Sequence, residues 1–183
     1  AEKKTLVQNL YSIEMLARSN ILCLDKTGTI TDGTMTVKEV LIFNGTNEKE
    51  IKSAVTSIVS AQSIHNHTST SLIKYFGSEG SLNPIINIPF SSERKYTATS
   101  FEKSGTYVLG ASEYIKAEMT DEINRKIKEM ANKGYRVILL AHSPNEIENE
   151  KLPKDLEVKA LILIEDTIRK DAIKTIQWFK ENS

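Results

Sequence analysis

Apolar residues recur along this chain with two different periods, and the switch between them separates helices from strands. Ile51, Ala54, Val55, Ile58 and Val59 recur at three- and four-residue spacing, as one helical face turned to a core does. Asn47, with Glu50 three residues later, resembles a capping box at the start of that helix. "HTSTSLIKYFGSEG" predicts a second helix stopped by Gly77 and Gly80. Thr120 opens a third that stops at Gly134, with Ile123, Ile127 and Met130 inward. "SIEMLAR" (Ser12–Arg18) predicts a short early helix, and "DAIKTIQWFKE" a last amphipathic one carrying Ile173, Ile176 and Phe179.

The remaining apolar runs are strand-sized. "NILCLD" predicts a first strand and "MTVKEVLIF", through Val37, Val40 and Ile42, a second. "IINI", "RKYTATSFE" and "TYVLGA" follow with their turn residues close together, which favours antiparallel pairing. "YRVILLAHS" and "EVKALILIED" complete the set. The first and last strands both finish at an aspartate, Asp25 and Asp166. The topology this predicts is α/β: a middle domain inserted into a parallel core, with ligands at the carboxyl ends of the core strands.

Composition narrows the possibilities. Lys+Arg and Asp+Glu are both 24 in 183 residues, so bulk charge gives no reason to expect nucleic acid or an acidic membrane surface as partner. No apolar run approaches the roughly 18–20 residues of a membrane-spanning helix, and no signal-peptide pattern opens the chain. Cys23 has no partner for an internal disulfide and reads as a small core residue. His65 and His67 have no further Cys or His cluster to complete a metal site.

The chemistry concentrates in "LCLDKTGTITDG" (Leu22–Gly33). A carboxylate at the end of a strand can attack phosphorus and form an aspartyl-phosphate. Lys26 brings a cation to that point, Gly28 lets backbone approach a phosphate, and Thr27 and Thr29 offer hydroxyls and main-chain groups. Composition alone leaves an ordinary strand-end turn equally open. The whole string "DKTGTIT" resembles the phosphorylation motif of the P-type cation-transporting ATPases, with Ile30 where the usual form has Leu. The upstream "IEMLARSNILCL" resembles the approach to that motif in bacterial members, and the resemblance covers nearly the whole chain.

That resemblance implies a role for each matching residue. Asp25 is the residue phosphorylated by ATP, Lys26 and Thr29 contact the phosphate, and Asp25 with the Thr27 main chain helps bind magnesium. "PFSSERKY" (Pro89–Tyr96) resembles the adenine-site strand, with Phe90 stacking on the base, Ser92 beside it and Lys95 lining the pocket. On its own, Phe90 reads as an ordinary core aromatic. Gly110 and Ala111 give close approach to the ring, and Arg136 reaches the phosphates. Asp166 and Arg169, in the returning "EDTIRKDA", contact ribose and phosphates. The fold implied is an antiparallel-sheet-plus-helices nucleotide-binding domain (35–158) inserted into a partial haloacid-dehalogenase-like, Rossmann-like parallel core (1–34 and 159–183). The partners implied are ATP, Mg2+, the transported cation, the actuator domain, the rest of the phosphorylation domain and the transmembrane helices. The expected location is the cytoplasmic side of a bacterial plasma membrane, and the expected turnover of this segment alone is negligible.

Besides Ile30, further positions depart from the family pattern, and "TIR" replaces the family's usual prolines between Asp166 and Arg169. Leu109 stands where calcium and sodium pumps often carry a lysine, and Ser69 lies near the position of their helix glutamate. Two other readings stay open. A haloacid-dehalogenase-like phosphatase shares the nucleophile, but typically carries a second aspartate two positions later as acid/base, where this chain has Thr27. A stand-alone nucleotide-binding module is the non-enzyme reading.

Overall fold

The computed structural model describes residues 9–21, 23–64 and 66–181; the expectation for His65 falls outside them. Chain contacts define two compact units, one of residues 33–167 and one of residues 1–32 with 168–183.

In the larger unit a helical pair, α2 (Glu48–Ser60) and α3 (His67–Phe76), follows β1 (Thr31–Ile42); α1 (Leu10–Ala17) belongs to the smaller unit. Strands β2 (Pro84–Ile88), β3 (Tyr96–Phe101) and β4 (Gly105–Gly110) come next, then α4 (Asp121–Asn132), β5 (Arg136–Ser143), β6 (Glu157–Ile168) and α5 (Ala172–Glu181). The six strands form one sheet in the order β1-β6-β5-β4-β3-β2. Pairing is antiparallel from β2 through β6. Phe43, just past the end of β1, donates its N–H to Lys159 near the start of β6, so this pair is antiparallel as well.

Both faces of the sheet are covered. Ile138, Leu140, Ala160 and Ile162 pack with α2 and α3 through Val55, Ile58 and Leu72. The alternating residues Leu139, Ala141, Val158 and Leu161 pack with Ile123 of α4 on the other face. Side chains of successive strand residues point to opposite faces, so double coverage requires continuous apolar runs in β5 and β6. Caps set the helix starts. Asn47 accepts from the Glu50 N–H, Thr120 from the Ile123 N–H, and Asn66 forms a full capping box with Ser69.

Three expectations are corrected. Residues 20–25 form no strand among those described, because no neighbouring strand supplies backbone partners; Ile21 and Leu24 are exposed. Cys23 is therefore exposed and not a core residue. The last strand does not stop at Asp166 but continues to Ile168. In α5, Ile173 faces solvent, while Ile176 and Phe179 are half-buried beside Leu24 and Ala172.

Tyr107 of β4 is only 7% exposed. Burial, and then the charge and hydrogen bond of Glu50 on α2, push its phenol up to about 12. The folded state thus holds this proton more tightly than the unfolded chain, whose value is 10.0. Stability from this group is complete below pH 10 and falls as pH rises toward 12, by on the order of 2 kcal/mol. Denaturant midpoints measured across that range check this, and Tyr107→Phe is expected to flatten the decline.

Candidate functional site

The larger unit carries a concavity of about 190 Å³ at the ends of β3, β4 and β5. One wall is the end of α2 and the start of α3, with Ile58, Val59, Gln62, Asn66, Ser69 and Leu72. The other is sheet, with Thr97, Leu109, Gly110, Ala111, Arg136, Val137 and Ile138. Phe90 and Lys95 overhang it from the β2–β3 loop. Five residues singled out from the sequence for nucleotide contact therefore meet here: Phe90, Lys95, Gly110, Ala111 and Arg136. Two of the departure positions, Leu109 and Ser69, line it too.

The loop is built to present Phe90 and Lys95. Ser91 Oγ accepts from the Arg94 N–H at 3.0 Å, and the Ser91 carbonyl from the Lys95 N–H at 2.8 Å. The Arg94 guanidinium donates back to the Pro89 carbonyl at 2.8 Å. Lys95 takes φ 59°, a left-handed conformation unusual for a residue with a Cβ. The Ala111 N–H, donating to the Lys95 carbonyl at 3.0 Å, holds it there. Phe90 remains 45% exposed and lines the slot. Gly110 is needed for packing: a Cβ there would lie 2.5 Å from the Lys95 carbonyl oxygen and the Tyr96 Cα.

The electrostatics are one-sided. Among the described residues no carboxylate lines the concavity, and neither Lys95 nor Arg136 has an ion-pair partner. An apolar slot with an exposed aromatic ring and two cations fits a ligand with a flat apolar end and an anionic end. Gln62, Asn66, Thr97 and Ile138, which also line the slot, are not singled out for ligand contact by the sequence. They are placed by packing and pairing.

The remaining candidates lie elsewhere. Ser92 is exposed in the loop and Asp166 is half-buried on β6; neither lines the concavity. In the smaller unit Asp25 is exposed and precedes one wide turn, Lys26–Ile30. Thr31 closes that turn, its N–H and its hydroxyl both donating to the Lys26 carbonyl, while the Gly28 N–H donates to the hydroxyl at 3.1 Å. Gly28 takes φ 81°, which suits glycine. Arg169 clamps the same turn, donating from its guanidinium to the Gly28 carbonyl at 2.8 Å and the Thr31 carbonyl at 3.2 Å. Its backbone N–H donates to the Ile30 carbonyl at 2.9 Å. Thr29 and Lys26 belong to the turn, and the Thr27 side chain is outside the described ones. Among the described residues no group of three His, Cys, Asp or Glu side chains could hold a metal ion.

Comparison with known proteins defines the class. No family model matches the chain. Over 97% of its length it is 39% identical to a probable cation-transporting ATPase, exp7, of Streptococcus pneumoniae. Over the same share it is 30% identical to the calcium-transporting ATPase CtpE of Mycobacterium bovis. It spans 23% and 22% of the length of these relatives. Its fold is similar to that of a zinc-transporting PIB-type ATPase in the E2P state, with a TM-score of 0.58 at 18% identity, covering 86% of this chain and 23% of that one. The chain is therefore a P-type ATPase segment. Its relatives are cation-transporting ATPases, and no helix among its described residues is long and apolar enough to cross a membrane.

Proposed function

We propose that this chain is the ATP-binding segment of an ATP-driven cation pump, and that ATP docks in the concavity of the larger unit. The observation that carries this reading is the meeting of Phe90, Lys95, Gly110, Ala111 and Arg136 around one acid-free slot. Adenine stacks on the exposed ring of Phe90. Lys95 and Arg136 attract the phosphates, and Ser92 offers a hydroxyl at the rim. The ATPase relatives support this assignment, and "cation" is as far as their shared names reach.

In the same reading the smaller unit contributes to a phosphorylation domain with a haloacid-dehalogenase-like parallel core, on the cytoplasmic side of a membrane. An Asp25 oxygen attacks the γ-phosphorus, the bond to the bridging oxygen breaks, and ADP leaves. Lys26 and Thr29 neutralise and orient the transferred group. The clamp of Arg169 on the carbonyls of Gly28 and Thr31 keeps the turn in shape for it. Magnesium would be held by Asp25 and the Thr27 main chain, and would neutralise phosphate charge. Asp166 and Arg169 remain candidates for ribose and phosphate contacts. The actuator domain, the membrane helices and the transported cation are the partners this requires.

The test separates the two ends of the ligand. The chain is expected to bind ATP with a Kd on the order of 1 mM. Arg136→Ala should weaken ATP about fivefold while leaving adenosine unchanged, a charge-assisted contact being worth about 1 kcal/mol or more. Equal loss for both ligands, or none for either, would contradict the assignment.

A further inference from the structure

We infer that Gln62 reads the base, its side-chain oxygen accepting from the exocyclic amino group of adenine; this rests on the ATP reading above. The argument compares the hydroxyl and side-chain amide groups lining the slot, of which the Thr68 hydroxyl already donates to the Met35 sulfur at 3.8 Å. The Ser69 hydroxyl is already committed to its capping box, accepting from the Asn66 N–H at 2.7 Å and donating to the Asn66 carbonyl at 2.9 Å. The Asn66 oxygen takes the Ser69 N–H at 2.9 Å. The Thr97 hydroxyl donates to the Ile88 carbonyl at 2.9 Å and is nearly buried. Gln62 is different, because the structure fixes which end of its amide is used.

The fixing group is Asn87 on β2. Its Nδ2 donates to the Ala61 carbonyl at 3.3 Å, which leaves its oxygen facing the other way. That oxygen accepts from the Thr99 hydroxyl and from Gln62 Nε2, both at 2.9 Å. Gln62 Nε2 also lies 3.5 Å from the Ile58 carbonyl. Turning the Gln62 amide over would set two acceptor oxygens against each other, so the nitrogen is held toward Asn87. The oxygen is left uncommitted among the described residues, on a side chain that lines the slot. An acceptor held there favours a purine with a 6-amino donor. It disfavours one with a 6-carbonyl, which would bring two acceptors together. Gln62 is a specificity residue and Asn87 a positioning residue behind it.

The experiment titrates the intact chain with ATP, with GTP and with purine riboside triphosphate, which lacks any 6-substituent, and follows amide shifts. The wild-type chain should prefer ATP over purine riboside triphosphate about fivefold, the worth of one neutral hydrogen bond. Gln62→Met keeps length and shape but has no comparable acceptor. It should equalise the two and leave the affinity for purine riboside triphosphate unchanged. If wild-type affinities are already equal while shifts centre on Phe90 and Gly110, the base-reading role is overturned and the ATP site stands. A preference that survives in Gln62→Met also overturns it. If no nucleotide shifts those amides, the ATP reading itself fails and takes this inference with it.

Discussion

Gly105→Ala is expected to destabilise the larger unit by about 3 kcal/mol, from two independent costs. Gly105 opens β4 with φ 67°, where an L side chain meets its own carbonyl; that conformation costs roughly 1–2 kcal/mol. A Cβ there would also press on the Ser143 carbonyl oxygen and lie 2.7 Å from the Pro144 Cα and carbonyl carbon. Those neighbours are backbone at the end of β5, so relief requires moving a central strand, an overpacking cost of roughly 1–3 kcal/mol. Gly45→Ala is the control. Its φ is 68°, but nothing lies within 4 Å of its added Cβ, so only the conformational cost applies. Denaturant unfolding separates them: the midpoint of Gly105→Ala should fall about twice as far, with unchanged slope. Equal shifts would show that the β4–β5 edge yields without cost.

Phe90→Ala is expected to lower ATP affinity about tenfold or more with little effect on folding. The ring is 45% exposed in the free chain and belongs to neither buried cluster, so its loss leaves no core cavity. Bound to a base it would gain a stacking partner, worth roughly 0.5–1.5 kcal/mol beyond the area it covers. The two readouts thus move apart: affinity falls and the unfolding midpoint stays. A midpoint that fell with the affinity would mean that the ring supports the β2–β3 loop and does not act on the ligand.

The hairpins of this sheet were legible because their turn residues lie close together, and the helices because their caps and apolar spacing agree. The continuous runs at Val137–Ala141 and Ala160–Ile164 hid their pairing. Such runs are usual in parallel sheets covered on both faces, and here α2 and α3 on one side and α4 on the other cover an antiparallel one. The expected strand at residues 20–25 failed for a different reason. Ile21, Cys23 and Leu24 have strand composition, but a strand exists only where a neighbour takes up its backbone groups, and none does so among the described residues.

The site was legible where a local string carries it, as in "PFSSERKY" and in the glycine of "YVLGA". It was illegible where long-range packing builds it. Gln62 gains its orientation from Asn87, and Asn87 from Ala61 and Thr99, a set brought together only by folding. Arg169 shows the same limit. The sequence places it near a phosphate site, and the fold uses its guanidinium on the turn that follows Asp25.

The most direct test of an ATP site in this concavity is an amide-NMR titration of the chain with ATP, run beside Phe90→Ala. The account predicts shifts centred on Phe90, Lys95, Gly110 and Arg136 that saturate in the millimolar range and are largely lost in the variant. A well-dispersed spectrum with no shifts at those residues up to several times the expected Kd of about 1 mM would contradict it, as would shifts there that Phe90→Ala leaves intact.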